Sequence, residues 1–324
     1  MVKQEGKHAG NMIKTIIRLL LYASLLFFGW YLYRVDYLVL DSLHVNPTWF
    51  IASLLFLFAG FILSSISWGY ALKIHGYEIP KPIAVFSHGL PVFAKYIPGK
   101  IWVILGRASY VASDSIPLKN ASMVSLKEQL IYLTWGLLIS VIPVFVFTGN
   151  IWFGLLILLS TCGIVFVLFS PLFHRLLLTF VGRILKRPMD IPLINIKDAL
   201  KVSYLVILYW ISWTIAFYLL LISVFPGESS FLMAFAFPVS VTYGVMAIFM
   251  PGGMGVREGI LTAFLTAGGM SVENAVTLSV LSRLWFIAGE IFMFLTAFIL
   301  KISGKVAGYP GYPSTLQKAE PGNQ

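Results

Sequence analysis

Charge is scarce in this chain. Asp, Glu, Lys and Arg make up 11% of its 324 residues, against about 25% in a typical soluble domain, and that deficit excludes an ordinary soluble fold. Carboxylates are scarcer still, 13 against 23 Lys and Arg. Asp36, Asp41, Asp114, Asp190 and Asp198 are scattered and lie in no apolar span. Chemistry on metal-bound diphosphates needs clustered carboxylate oxygens, because hard cations take several of them. His8, His44, His75, His88 and His174 show no metal-ligand spacing. His88 reads as a packed histidine. A Walker-type loop and a Ser/His/Asp arrangement are both missing. Cys162 is the single cysteine, so neither a disulfide nor a cysteine metal framework exists. No cofactor, metal or catalytic centre is expected.

The chain is instead 59% hydrophobic, with 26 Phe, 15 Tyr and 9 Trp. It reads as a polytopic membrane protein. Its net charge of +10 is ascribed to topology and to anionic lipid surfaces rather than to nucleic acid. The first apolar stretch has a basic flank and no small-residue cleavage site, as in a retained anchor.

A transmembrane helix needs about 20 mostly apolar residues. The stretches 14–33, 48–72, 121–147, 151–170, 201–224, 231–250 and 274–300 meet that requirement. Residues 83–112 are apolar but broken at Pro98-Gly99-Lys100, and 254–268 form a short apolar helix. Lys and Arg favour the cytoplasmic side. Lys3, Lys7, Lys14 and Arg18 place the N-terminus inside, and Arg175, Arg183, Lys186, Arg187, Lys197 and Lys201 do the same for 171–201. The counts agree if 83–112 dips in and returns as a re-entrant hairpin and 254–268 crosses. The expected fold is therefore an all-α membrane bundle of about eight crossings plus one hairpin, with both termini cytoplasmic, in a prokaryotic inner membrane. Residues 1–302 form one transmembrane domain, and 303–324 a disordered tail. Trp30, Trp49, Trp68, Trp102 and Trp152 read as interfacial anchors.

One motif breaks the apolar pattern: Met250-Pro251-Gly252-Gly253-Met254-Gly255-Val256-Arg257-Glu258-Gly259. Bare backbone at membrane depth survives only where protein buries it or a wet cavity solvates it, and ionisable residues there are functional candidates. Gly252, Gly253 and Gly255 permit a nest of converging backbone N–H groups at the start of a helix. Arg257 adds a planar fork suited to phosphate. Glu258 fits the helix dipole and can orient Arg257. Lys100 offers a second positive charge from the earlier break. The two breaks echo each other. Phe93–Lys100 precedes Arg107 and then a helix with Lys127 and Glu128, while Ala247–Gly253 precedes Arg257 and then a helix with Arg283 and Glu290. Interrupted segments at corresponding positions of two halves point to a transporter's central site. Gln129 widens the polar patch beside Glu128. A plain turn or close helix packing is the alternative for the glycines, and structural ion pairs for Glu128, Arg283 and Glu290.

The segment Pro251-Gly252-Gly253-Met254-Gly255-Val256-Arg257-Glu258 resembles the Pro-Gly-Gly signature of the lysylphosphatidylglycerol synthase transmembrane region, also called flippase-like or UPF0104 membrane proteins. Tyr96-Ile97-Pro98-Gly99-Lys100-Ile101-Trp102, followed by Gly106-Arg107, is similar to that family's Pro-Gly-Lys-x-Trp segment, and the likeness spans about residues 12 to 303. It implies a multi-helix membrane fold with re-entrant elements. In the multiple-peptide-resistance-factor branch this domain moves aminoacylated phosphatidylglycerol between leaflets beside a soluble aminoacyltransferase domain. This chain carries no such domain, so lysyl transfer is not expected.

The expected function is a lipid translocase rather than an enzyme, moving an anionic or phosphate-bearing lipid through a polar cavity. Its partners would be a phospholipid or polyprenyl-phosphate lipid, and a separately encoded lipid-modifying enzyme. Substrate-binding candidates are Lys100, Arg107, Glu128, Gly252, Gly253, Gly255, Arg257, Glu258, Arg283 and Glu290. The alternatives are a membrane transferase on such lipids, with Glu258 or Glu128 as base, and a non-transporting scaffold.

Overall fold

The computed structural model describes residues 44–97, 101–185, 193, 195–247, 250–307 and 309. The described residues are helical, with no strand among them. Five helices are long and apolar enough to cross a membrane: α1 (Pro47–Ile74), α4 (Leu118–Thr148), α5 (Ile151–Phe169), α7 (Ile196–Val224) and α10 (Val272–Ile302). Each matches an expected span and extends it by a few residues at most ends. Caps account for several of these limits. Asn46 accepts from the backbone of Thr48 and Trp49 at the start of α1, Asn150 from Trp152, and Asn195 from Asp198. The expected first span, 14–33, lies outside the described residues.

Large apolar side chains such as Ile142, Trp152, Leu159 and Ile302 are more than two-thirds exposed. That outward face suits lipid and would be an aggregation liability in water. Small residues let the helices meet closely inside. A Cβ on Gly60 of α1 would lie 2.3 Å from Trp213 Nε1 of α7, and that indole donates to Leu57 O at 3.2 Å. Asn46 N donates to Ser223 O at 2.8 Å, so α1 and α7 run antiparallel, with the start of one at the end of the other.

Two segments double back on themselves as helical hairpins. In the first, α2 (Lys81–Gly89) continues as a 3₁₀ turn (Leu90–Tyr96), and α3 (Ile101–Val111) returns. Asn120 Nδ2 donates to Tyr77 OH at 2.6 Å, which brings the two ends of this hairpin together. In the second, a 3₁₀ turn (Phe231–Phe235) leads into α8 (Ala236–Met246), and the turn Pro251–Gly253 is followed by α9 (Val256–Ala267). Here Glu228 joins the ends, accepting from Ser271 N at 2.9 Å and Asn274 Nδ2 at 2.7 Å. At 1.5 Å per residue, the 12 residues of α9 cover about 18 Å, short of a hydrocarbon core of about 30 Å. Residues 231–250 and 254–268, read from sequence as two crossings, form two short helical arms on either side of the glycine turn. Helix α8 ends at Met246, and the left-handed Gly252, Gly253 and Gly255 turn the chain before α9.

The hairpins open at opposite ends. The first starts where α1 ends, and the second where α7 ends, beside the start of α1. The order long helix, hairpin, long helix therefore occurs twice with reversed direction, as α1–α4 and as α7–α10. Helices α5 and α6 (Pro171–Leu185) lie between the copies. The sequence echo corresponds to this inverted arrangement. Helix α6 occupies part of the basic stretch 171–201.

One smaller expectation is corrected. Trp68 is fully buried, not interfacial, and its Nε1 donates to Ser87 Oγ at 3.0 Å. The tail packs at its start, where Val306 is buried and Tyr309 OH donates to Val111 O at 3.3 Å. Residues 310–324 lie outside the described residues.

Candidate functional site

The two hairpin tips meet at the middle of α10. That helix has 31 residues, about 46 Å at the standard rise, and Arg283 and Glu290 flank its midpoint. Arg283 Nη1 donates to Gly252 O at 2.8 Å, tying α10 to the second tip. Glu290 accepts from Lys95 Nζ and, at 2.8 Å, from Tyr96 OH, tying α10 to the first. The tips also touch directly, since a Cβ on Gly252 would lie 2.7 Å from the Tyr96 ring.

A cavity of about 470 Å³ lies among these elements, within the usual range for small-molecule sites. Lys95, Arg107, Glu128, Gly252, Arg257 and Arg283 contribute its charged and tip surfaces. Much of the remaining wall is apolar or aromatic, including Ile101, Ile104, Tyr209, Trp213 and Phe286. Among the described residues, four cations and one carboxylate line it. Glu258 and Glu290 sit behind the wall and offset part of that positive charge.

The cations are held differently. Arg107 donates from Nη2 to Glu128 Oε2 at 2.8 Å and to Ser125 O at 2.6 Å, and from Nε to Ser125 Oγ. Its guanidinium lies 4.6 Å from the Trp68 ring centre. Glu128 also accepts from Ser67 Oγ at 3.2 Å. This unit is satisfied internally, as buried charges require. Arg283 faces Glu258 Oε1 at 3.8 Å and lies 5.4 Å from the Tyr96 ring centre, but its Nε and Nη2 have no hydrogen-bond partner. Arg257 is 5% exposed and lies between the rings of Phe237 (5.0 Å) and Phe286 (4.7 Å). Its Nε and Nη2 are likewise unpartnered. A buried guanidinium with unused donors is costly and is poised for an anion.

Two of the three glycine N–H groups of the expected backbone nest are engaged within the turn. Gly252, Gly253 and Gly255 have φ of 57°, 73° and 78°, the left-handed region that favours glycine. Their donors, however, are largely spent on the turn itself. Gly253 N donates to Met250 O at 2.9 Å, and Gly255 N to Glu258 Oε2 at 2.7 Å. Gly253 is needed for contact as well, because a Cβ there would lie 2.6 Å from Gly244 O. The motif thus builds a tight turn that aims Arg257, and the side chain supplies the anion donors. Glu258 caps α9 and faces Arg283 rather than carrying cavity surface.

Of the sequence candidates, Arg107, Glu128, Gly252, Arg257 and Arg283 line the cavity, while Gly253, Gly255, Glu258 and Glu290 support it. Lys100 lies outside the described residues, as do Pro98 and Gly99. Lys95 was not singled out as a site residue, yet it lines the cavity and pairs with Glu290. Its place just before the first Pro-Gly break was the available signal. His88 also lines the cavity, with Nε2 3.2 Å from Ser64 Oγ. No group of three or more His, Cys, Asp or Glu suited to a metal occurs among the described residues.

Comparison with curated proteins finds no match. A family model matches residues 15–288, a range that holds both hairpins, the α1–α7 pair and the part of α10 that carries Arg283. By that match, this integral membrane chain belongs to the family described as Lysylphosphatidylglycerol synthase TM region.

Proposed function

We propose that the protein moves a phosphate-bearing lipid between leaflets, with the headgroup held in the cavity between the hairpin tips and the tails in lipid. One observation carries this reading: Arg257 lines the cavity, is buried, and keeps Nε and Nη2 without partners. A phosphate oxygen is a strong acceptor for such donors. Arg283, with two further unpartnered nitrogens, stands on the same wall. Hairpins entering from opposite ends support access from both sides, since tips at mid-depth give each leaflet a route to one site. The end bearing Lys73, Lys81, Lys197, Lys201 and Lys301 faces the cytoplasm of a prokaryotic inner membrane in this reading.

The test is leaflet exchange of fluorescent phosphatidylglycerol and polyprenyl-phosphate probes in liposomes holding purified protein, with Arg257→Ala alongside. Exchange by the wild type that the variant loses is the expected result. Equal exchange by a folded Arg257→Ala protein would overturn the role of Arg257. No wild-type exchange, with product formed from a sugar or aminoacyl donor, would favour a transferase.

A further inference from the structure

A second groove, of about 160 Å³, shares no lining residue with the cavity at the hairpin tips. Three helices form it: the middle of α4 (Trp135, Leu138), the end of α5 (Leu168, Phe169) and the start of α7 (Ile196, Leu200). Its lining holds no charged residue among those described. Its two hydroxyls are spent within their own helices, Thr134 donating to Leu130 O at 2.9 Å and Ser203 to Ala199 O at 2.7 Å. Leu138, Ile196 and Leu200 are exposed, so the groove opens sideways, toward lipid in a membrane-spanning bundle.

The rim of this apolar slot is basic. Ile196, Leu200 and Ser203 recur at helical spacing and share one face of α7, and Lys197 and Lys201 stand about 100° further round. Both lysines are exposed, and the half-buried Asp198 offsets one of them, 3.4 Å from Lys201. The exposed Arg175 follows Phe169 by six residues, on α6.

A hydrocarbon slot beside exposed cations at one end of the bundle fits a phospholipid whose chain enters the slot and whose headgroup is anionic. A neutral lipid would fill the slot and leave the basic rim without counter-charge. A second copy of the chain, packed symmetrically on this face, would bring two basic rims into one interface. We infer that α4, α5 and α7 form a binding site for an anionic glycerophospholipid, held as a resident lipid and not as cargo. Lys197 and Lys201 reach its phosphate along the groove edge, their stems lying on apolar surface, and the groove holds part of one acyl chain. The inference is independent of the translocation reading.

The experiment places the full chain in phosphatidylcholine vesicles that contain acyl-brominated phosphatidylglycerol or, in parallel, acyl-brominated phosphatidylcholine. Bromine quenches a nearby indole, so the signal is the difference in quenching between the wild type and Trp135→Phe. The apparent affinity for the anionic lipid is expected to exceed that for phosphatidylcholine about tenfold, the scale of two lysines near an anionic surface. Added salt should shrink that preference. Lys197→Gln combined with Lys201→Gln should abolish it, and Arg257→Ala should keep it. No quenching assignable to Trp135, equal wild-type affinities, or a preference that survives loss of both lysines would overturn the inference. Loss of the preference in Arg257→Ala would overturn it too, because the lipid would then be held at the hairpin tips. The wild-type lipid and salt comparisons stand even if a substitution unfolds the chain.

Discussion

Arg107 and Arg257 occupy corresponding places in the two halves, each on the returning arm of a hairpin after a Pro-Gly break. Their surroundings differ sharply. Arg107 is bonded to Ser125 and Glu128 and covered by Trp68. Arg257 lies between two phenylalanine rings and leaves two nitrogens unpartnered. The carboxylate partners are also exchanged between the halves. In the first, the arginine is on the arm (Arg107) and the glutamate on the following helix (Glu128). In the second, the glutamate is on the arm (Glu258) and the arginine on the following helix (Arg283). One half has closed its electrostatics, and the other has left them open. In the proposed function, the first serves the frame and the second the ligand.

That contrast is most directly broken at Arg107. Arg107→Ala leaves Glu128 buried without its cation, and should cost about 3–5 kcal/mol of stability, read as a lower unfolding temperature in detergent. Exchange should fall only as folded protein is lost. Arg257→Ala removes a charge that has no carboxylate hydrogen-bonded to it, so the unfolding temperature should hold. Leaflet exchange should drop on the order of a hundredfold, equivalent to about 2.7 kcal/mol. If both variants instead lose stability equally, the division into frame and ligand halves is wrong.

The glycine turn sharpens the comparison at a smaller scale. Gly253→Ala meets Gly244 O at 2.6 Å and carries a φ of 73°, whereas Gly255→Ala at 78° meets nothing within 4 Å. The first should cost about 1–3 kcal/mol and weaken exchange, because the aim of Arg257 depends on this contact. The second should cost only about 1–2 kcal/mol, the left-handed penalty, and preserve exchange. Both are read by thermal unfolding beside the exchange rate. The smallest effect is expected at Tyr309→Phe, which removes one hydrogen bond from the tail to the first hairpin. It should cost about 0.5–1.5 kcal/mol, measured the same way, without changing exchange per folded molecule.

The long helices were legible because membrane crossing demands sustained apolar runs, and α1, α4, α5, α7 and α10 obey that demand closely. The breaks were legible for the opposite reason: Pro251-Gly252-Gly253 cannot continue a lipid-facing helix. Residues 231–250 were harder to read because α8 is as apolar as the long helices, and composition does not record where a chain reverses. Trp68 misled because its position near a span end matched an interfacial anchor, while its indole is held inside by Ser87. Lys95 and Tyr96 were visible as residues, but their link to Glu290, 195 positions away for Lys95, has no local signature.

The sequence by itself determined the solvent this protein lives in, the places where its helices run and break, and the order of its charges along the chain. Those properties follow from transfer free energies and backbone restrictions, which act residue by residue. Tertiary structure alone decided that the hairpins enter from opposite ends and that their tips meet beside the midpoint of α10. It also decided that the N–H groups of Gly253 and Gly255 serve the turn, and that Arg107 is satisfied while Arg257 is not. Each of these depends on which helix faces which, and a buried charge is defined by its neighbours in space rather than by its neighbours in the chain.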